Sequence, residues 1–365
     1  MTYVFPRDIY IQEAQSSGHS QEFIDATLSY AEKLTSRGLA VIFSRKHLAN
    51  YLGIPYYDLT KMIDSTYRHY GTFRLRKKRG GYREIRSPDN HLKAVQRWIL
   101  DVILKPVQPH PASIGFKTGD SIIDNAALHV GKTALLKTDL FRFFDTISAK
   151  QVYAVFRSLG YHKNLAVDLA KLCTVDITYS DLENIYEDVA CPQNYICNNT
   201  VLPQGAPTSP ALANLVARKL DSRLSALVQK LDVSYSRYAD DLTFSGPLES
   251  LPSLGIISKI VREEGFYLNY CKTVYRKAGQ QMKVTGLIVS GDIPRVPKAY
   301  KRDVRKHLYF ASRLGPEEHL RNIGSTKSSF RDWLLGRIIF IRSVEPEVGN
   351  AFLEQFNSIS WPLYE

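Results

Sequence analysis

The spacing of apolar residues changes several times along the chain, and each change predicts a new element. Residues 20–37 read as a helix ended by Gly38. SRKHLANYLGIPYYDLTKMI (44–63) reads as two short helices around Gly53-Ile54-Pro55. Such a pair is either a helix-turn-helix that reads nucleic acid or a plain packing pair. In FRLRKKRGGYREIRSP (73–88) the period drops to two. Phe73, Leu75, Tyr82 and Ile85 alternate with charge, and Gly80-Gly81 marks a hairpin turn. ALLKTDLFRFFDTI (134–147) begins as a strand, with Leu135, Lys137 and Asp139 on one face and Leu136, Thr138 and Leu140 on the other. Ser148 and Gln151 then fit a capping box. Val152, Val155, Phe156 and Leu159 give the stripe of a helix that runs to Gly160.

LPQGAPTSPALANLVARKL (202–220) is a loop running into a helix. Ser209 is the expected N-cap and Pro210 suits the first turn. Leu212, Leu215, Val216, Leu220, Leu224 and Leu227 carry its apolar stripe. Gly205 lets the backbone approach a ligand, and the helix start offers N–H groups to an anion. Val233 and Tyr235 supply apolar residues to one strand, Leu242 and Phe244 to the next. SYSRYADDLTFSG (234–246) is thus a hairpin with Asp240 and Asp241 at its tip. Two carboxylates about 4 Å apart repel by about 4 kcal/mol at an effective dielectric of about 20. Such a tip is either fully solvated or binds cations.

Composition narrows the choice. The 365 residues are 44% apolar, enough for one large domain or a few subdomains. The net charge of +12 favours an anionic partner, nucleic acid before membrane surface. With 22 Tyr and 16 Phe there are rings for bases to stack on, although most belong to the core. Arg74, Arg76, Lys77, Lys78, Arg79, Arg83 and Arg86 crowd the first hairpin, a basic ribbon suited to phosphates. Residues 172–217 contain no Lys or Arg but hold Asp176, Asp181, Glu183, Glu187 and Asp188. That stretch is a variable surface loop or a protein contact. Cys173, Cys191, Cys197 and Cys271 lack zinc-site spacing and read as reduced thiols. The N-terminus carries charges where a signal peptide needs an apolar run, and WLLGRIIFI is short and broken by Arg337. A cytoplasmic protein without membrane contact is expected.

Asp139 stands near a strand end, as the tip acids do. Three carboxylates on neighbouring strands suit two Mg²⁺ ions roughly 3.5–4 Å apart, the arrangement of nucleotidyl transfer. The basic ribbon would then hold a triphosphate and a template.

In this order the motifs resemble those of a reverse transcriptase. Tyr238-Ala-Asp-Asp241 is similar to the YxDD box, Asp139 to Phe144 to the first-aspartate motif, and Leu202 to Pro210 to the LPQG box. Gly265 to Asn269 with Lys272-Thr273, Arg83 to Pro88, and Ser113 to Phe116 resemble further motifs of the family. Asn125-Ala-Ala-Leu-His129 and Val284-Thr-Gly286 resemble the two signatures of bacterial retron reverse transcriptases. Group II intron, diversity-generating and stand-alone defence enzymes are the neighbouring alternatives, as is a non-catalytic polymerase-fold scaffold that binds RNA.

The resemblance implies an α+β, right-hand polymerase fold of fingers, palm and thumb. The palm sheet would be antiparallel, and the N-terminal and thumb regions helical. It implies a helical extension over 1–70, fingers and palm over 71–290 with an acidic insertion at 172–200, and a thumb over 291–365. It implies RNA-templated DNA synthesis with dNTP substrates and two Mg²⁺ ions on a cognate noncoding RNA. Priming would come from a 2′-hydroxyl, and an effector protein in anti-phage defence is a further expected partner. Asp139, Asp240 and Asp241 would hold the metals, with the Leu140 carbonyl as an extra ligand. Arg83, and with it Arg76 or Lys77, would grip the triphosphate. Phe144 would exclude a 2′-hydroxyl, Gln204 and Gly205 would shape the base-pair pocket, and Lys272 would meet the leaving pyrophosphate. Asn125 and His129, with Arg302, Arg305 and Lys306 at helical spacing in the thumb, would contact the RNA or the RNA–DNA hybrid.

Overall fold

The computed structural model describes residues 5–76, 82–117, 119–324 and 329–362. The expected hairpin tip, with Lys77, Lys78, Arg79, Gly80 and Gly81, lies outside them.

The chain opens with helices α1 (Arg7–Ser16), α2 (Gln21–Thr35), α3 (Arg45–Leu52) and α4 (Tyr56–Asp64). Ser20 and Ser44 cap α2 and α3 by accepting the N–H of Phe23 and His47, each at 3.2 Å. Gly53 ends α3 at φ 65°. Leu48, Ala49, Leu59, Met62 and Ile63 are buried in the main core, so α3 and α4 spend their apolar faces on packing. Strands β1 (Tyr70–Arg76) and β2 (Tyr82–Pro88) then pair antiparallel, with Leu75 opposite Arg83. Asp89 caps the next helix, α5 (Asn90–Trp98).

Helix α6 (Ile122–Ala127) precedes the central strand β3 (Ala134–Leu140). Helices α7 (Ala149–Leu159) and α8 (Lys163–Cys173) follow, with the Ser148–Gln151 capping box and Gly160 as expected. The acidic stretch is an ordered excursion. Strands β4 (Val175–Asp176) and β5 (Thr200–Val201) close its base, and α9 (Tyr179–Tyr186) stands between them. Ile185 and Tyr195 bury themselves against Phe141 as a small core.

Helices α10 (Ser209–Val216) and α11 (Arg218–Val228) replace the single expected helix. The N-cap is Thr208, without a side-chain bond, while Ser209 Oγ donates to the Pro203 carbonyl at 2.7 Å. Strands β6 (Ser234–Tyr238) and β7 (Asp241–Gly246), helix α12 (Leu254–Glu263) and strand β8 (Leu268–Lys277) complete the palm. The sheet order is β6-β7-β3-β8, antiparallel throughout.

Strand β3 is central and buried on both faces. Leu136 and Leu140 enter the main core, whereas Leu135 enters a second core. That second core belongs to the C-terminal helices α13 (Lys298–Leu314), α14 (Pro316–Asn322), α15 (Phe330–Val344) and α16 (Pro346–Asn357). Val304, Leu308, Leu334, Ile338 and Phe352 fill it. Two short strands, β9 (Lys283–Val284) and β10 (Leu287–Ile288), lead into this bundle. Their two-residue turn is Thr285-Gly286, with φ of 45° and 87°. Positive φ at both turn positions is what a tight hairpin of matching twist requires. Among the described residues no helix is long and apolar enough to cross a membrane.

Candidate active site

The three acids stand where β3 and β7 end and in the turn that precedes β7. Strands β6 and β7 pair Tyr238 with Asp241, which leaves Ala239-Asp240 as a two-residue turn. Ala239 sits at φ 57°, a left-handed value that costs an alanine about 1–2 kcal/mol. Asp139 lies directly opposite Asp241 in the β3–β7 ladder. The Leu140 N–H donates to the Asp240 carbonyl at 2.8 Å and staples the turn to the end of β3. On the other side of β3 the register to β8 shifts between Lys137 and Asp139, an irregularity of the kind that re-aims side chains next to active sites.

These carboxylates are held against their own repulsion. Burial first, and then the neighbouring Asp240 charge, push the Asp139 carboxyl up to about 7, against the pull of Lys272. Burial and Asp241 likewise raise Asp240. Two ammonium groups offset the charge. Lys272 Nζ donates to Asp139 Oδ1 at 2.7 Å, and Lys137 Nζ to Asp241 Oδ2 at 2.7 Å. Sequence reasoning missed Lys137, although its place on the Asp139 face of the strand was legible from alternation.

The Asp240 charge acts on Asp139, whereas Asp241 is paired with Lys137. Among the described residues no three acids, histidines or cysteines are gathered around one point. The donor set still fits a hard divalent cation. Every candidate ligand is oxygen, the acids repel, and two of the three already carry a cation. Leu140, expected to lend its carbonyl, serves visibly through its N–H.

Beneath the turn lies a residue that the sequence reading passed over. Arg237 is 0% exposed. Its Nε and Nη2 donate to the two oxygens of Asp221 at 2.8 and 2.7 Å. Nη1 reaches Asn214 Oδ1 at 3.0 Å and the Ala239 carbonyl at 2.9 Å, and Nη2 also reaches Ser113 Oγ at 2.9 Å. The available signal was an arginine at an inward position of a strand, with an acid on the preceding helix.

Two residues expected to face a nucleotide or phosphate have protein neighbours of their own. Gly205, at φ 130°, faces the β2 backbone. A Cβ there would stand 2.8 Å from the Arg86 carbonyl and 2.9 Å from Ile85 Cγ2. The Gln204 carbonyl accepts the Arg86 N–H at 2.9 Å. The strand edge alone therefore requires a glycine at this position. Arg86, counted with the basic ribbon, is buried and spends its charge on Asp181 at 2.9 Å, with Asp145 at 3.7 Å. Arg76 and Arg83 are exposed on the hairpin. Phe144 is half-buried against Phe143 and Phe116, with ring centroids 5.7 and 6.3 Å away.

Asn125 and His129 are corrected outright. They are 1% and 0% exposed, so neither contacts RNA directly. The His129 ring bridges Ser245 Oγ at 2.7 Å and Ser236 Oγ at 2.8 Å, on both strands of the acidic hairpin. Thr285 Oγ1 donates to the Ile122 carbonyl at 2.9 Å, so the VTG turn and the NAALH helix form one joint. Arg302, Arg305 and Lys306 are exposed on α13.

A family model described as reverse transcriptase (RNA-dependent DNA polymerase) matches residues 75–289. Curated relatives align over most of the chain. The Retron Mx162 reverse transcriptase of Myxococcus xanthus is 31% identical over 353 residues, 90% of this chain and 69% of that protein. The Retron Ec86 reverse transcriptase of Escherichia coli is 32% identical, covering 79% of this chain and 85% of its own. The Retron Mx65 reverse transcriptase of Myxococcus xanthus is 34% identical, covering 78% and 72%. Among solved structures, telomerase from Candida albicans with a fragment of telomeric RNA is similar at 14% identity and a TM-score of 0.43. The match covers 84% of this chain and 61% of that one.

The His129 joint makes a pH prediction. Burial, and then the Lys132 charge, hold its imidazole down at about 4, from an ordinary 6.5. Above pH 6.5 the ring is neutral whether the chain is folded or not. Below it the unfolded chain takes a proton that the folded chain refuses until about pH 4. Stability thus falls through that window, by roughly 3 kcal/mol at its end. Urea unfolding of His129→Gln at a series of pH values is expected to show a shallower loss. An unchanged slope would remove His129 as its cause.

Proposed function

This chain belongs to the reverse transcriptases of retron type and is an RNA-directed DNA polymerase; we propose that it copies a cognate, structured noncoding RNA from a 2′-hydroxyl of that RNA. The product would be a branched RNA–DNA molecule made in the cytoplasm, where with an effector protein it serves anti-phage defence. The observation that carries the catalytic part is the convergence of Asp139 and Asp240, with Asp241 beside them, at the ends of β3 and β7.

Enzymes of this family take dNTPs and depend on a metal. Asp139, Asp240 and Asp241 would hold two Mg²⁺ ions, with the Leu140 carbonyl as a further donor. Bound there, the ions supply activation of the attacking hydroxyl and charge neutralisation on the leaving pyrophosphate. The chain's own residues do the rest. Arg83 and Arg76, exposed on the fingers hairpin, grip the triphosphate and set its α-phosphorus in line with the primer oxygen. Phe144 lies under the sugar and leaves no room for a 2′-hydroxyl. Gln204 and Gly205, tied to β2 through Arg86, form one wall of the base-pair pocket. Lys272, already beside Asp139, meets the pyrophosphate oxygen as the P–O bond breaks. Arg302, Arg305 and Lys306 on one exposed face of α13 follow the phosphates of the RNA or hybrid.

Three measurements test this. Asp240→Asn and Asp139→Asn are expected to cut primer extension by about a hundredfold or more. Undiminished synthesis would overturn the assignment of these acids as metal ligands. Phe144→Val is expected to admit ribonucleotides, and unchanged sugar discrimination would take Phe144 out of the gate. Sequencing the co-purified nucleic acid with and without debranching enzyme should reveal a branched junction. Linear DNA alone would sink 2′-hydroxyl priming and favour a stand-alone or group II-like enzyme.

A further inference from the structure

We infer that Arg237 is a positioning residue for catalysis, which sets the Ala239-Asp240 turn from below and ties it to the nucleotide pocket. The turn has two carbonyls, and each has one donor. The Leu140 N–H holds that of Asp240, and the Arg237 guanidinium holds that of Ala239. Together they fix both peptide planes, and so the direction in which the Asp240 side chain leaves the turn. Ala239 needs such a hold because its left-handed backbone is unfavourable for alanine.

The other donors of Arg237 reach three further segments. Asp221 lies on α11, Asn214 on α10 just after the LPQG loop, and Ser113 in the segment that leads to Phe116. The strand backbone repeats the connection. The Arg237 N–H donates to Ala112 O and its carbonyl accepts the Ile114 N–H, both at 2.8 Å. Asn214 closes the circuit by donating to the Gly115 carbonyl at 2.9 Å. Phe116 at the end of that segment neighbours Phe144. One guanidinium thus sets the catalytic turn, the helix behind the LPQG loop and the wall beside Phe144 in a common register.

Stability alone does not call for this arrangement. A buried ion pair is often replaced by apolar residues of similar volume without loss. A planar fork that meets a carboxylate, an amide, a hydroxyl and a carbonyl at once is a geometric device that lysine cannot copy. The inference rests on reading Asp240 as a metal ligand, and the experiment keeps the two apart.

Full-length protein would be assayed on poly(rA)·oligo(dT) with dTTP across a MgCl₂ titration, beside a thermal unfolding measurement. The variants are Arg237→Met/Asp221→Leu, which removes both buried charges together, Arg237→Lys, and Asp240→Asn as the reference. The double variant is expected to unfold in one cooperative transition, yet to lose about 10- to 100-fold in kcat. Its KM for dTTP should change little and its Mg²⁺ requirement should rise. Arg237→Lys should show the same pattern in milder form. Folded variants with unchanged kcat and Mg²⁺ dependence would overturn the inference while leaving Asp240 in place, provided Asp240→Asn is inactive. Loss of cooperative unfolding in both Arg237 variants would make the residue a folding element and also overturn it. An active Asp240→Asn would instead strike the metal reading beneath it.

Discussion

Carboxylates buried side by side repel, and the palm is arranged around containing that repulsion. Asp139 is forced toward its protonated form by burial and by Asp240, and Asp240 by burial and by Asp241. Each compensation is visible as an interaction with a direction. Lys272 crosses from β8 to Asp139, and Lys137 crosses from β3 to Asp241. The backbone is pinned so that the acids do not relieve the strain by moving apart. A site of this kind stores an affinity for cations in its fold. The two lysines supply part of the positive charge that the acids call for.

Charge elsewhere in the molecule is used with similar economy. The acidic excursion looked like a foreign element in a basic chain. Its Asp181 neutralises Arg86 under the fingers hairpin, and its Asp188 approaches Arg142 at 3.5 Å, next to the first-aspartate motif. Arg142 also donates to the Asn184 carbonyl. The excursion is therefore tied to the segment that carries the first aspartate, and its acids share Arg86 and Arg142 with Asp145.

The sequence was legible wherever one local rule decided the outcome. Period-two alternation gave β3 and the acidic hairpin, and the Ser148–Gln151 box fixed the start of α7. The apolar residues of the two flanking strands were enough to place Asp240 at a turn. What stayed hidden depended on contacts between segments far apart in the chain. The strand contact of Gly205 stayed hidden because nothing local reveals that the Arg86 carbonyl on β2 passes 2.8 Å from where its Cβ would be. Arg237 was passed over because its partners lie on α10, α11 and the segment before α6. Asn125 and His129 were read as RNA contacts, and both are buried. Their motif has no marker that separates a buried polar clasp from an exposed one. The helix break at Ala217 was likewise invisible, since the apolar stripe continues across it.

The joint made by α6 has a practical consequence for anyone who recombines these enzymes. In sequence, α6 precedes the palm's central strand and stands far from the C-terminal helices. In space, Ala126 is buried in the C-terminal core, Ile122 is tied to the VTG turn, and the Gly131 N–H donates to the Gly291 carbonyl at 3.0 Å. The exchangeable unit is thus discontinuous. A chimera cut only near residue 290 would pair one protein's socket with another's hinge, and a graft that carries 121–131 along with the C-terminal helices keeps the two halves matched.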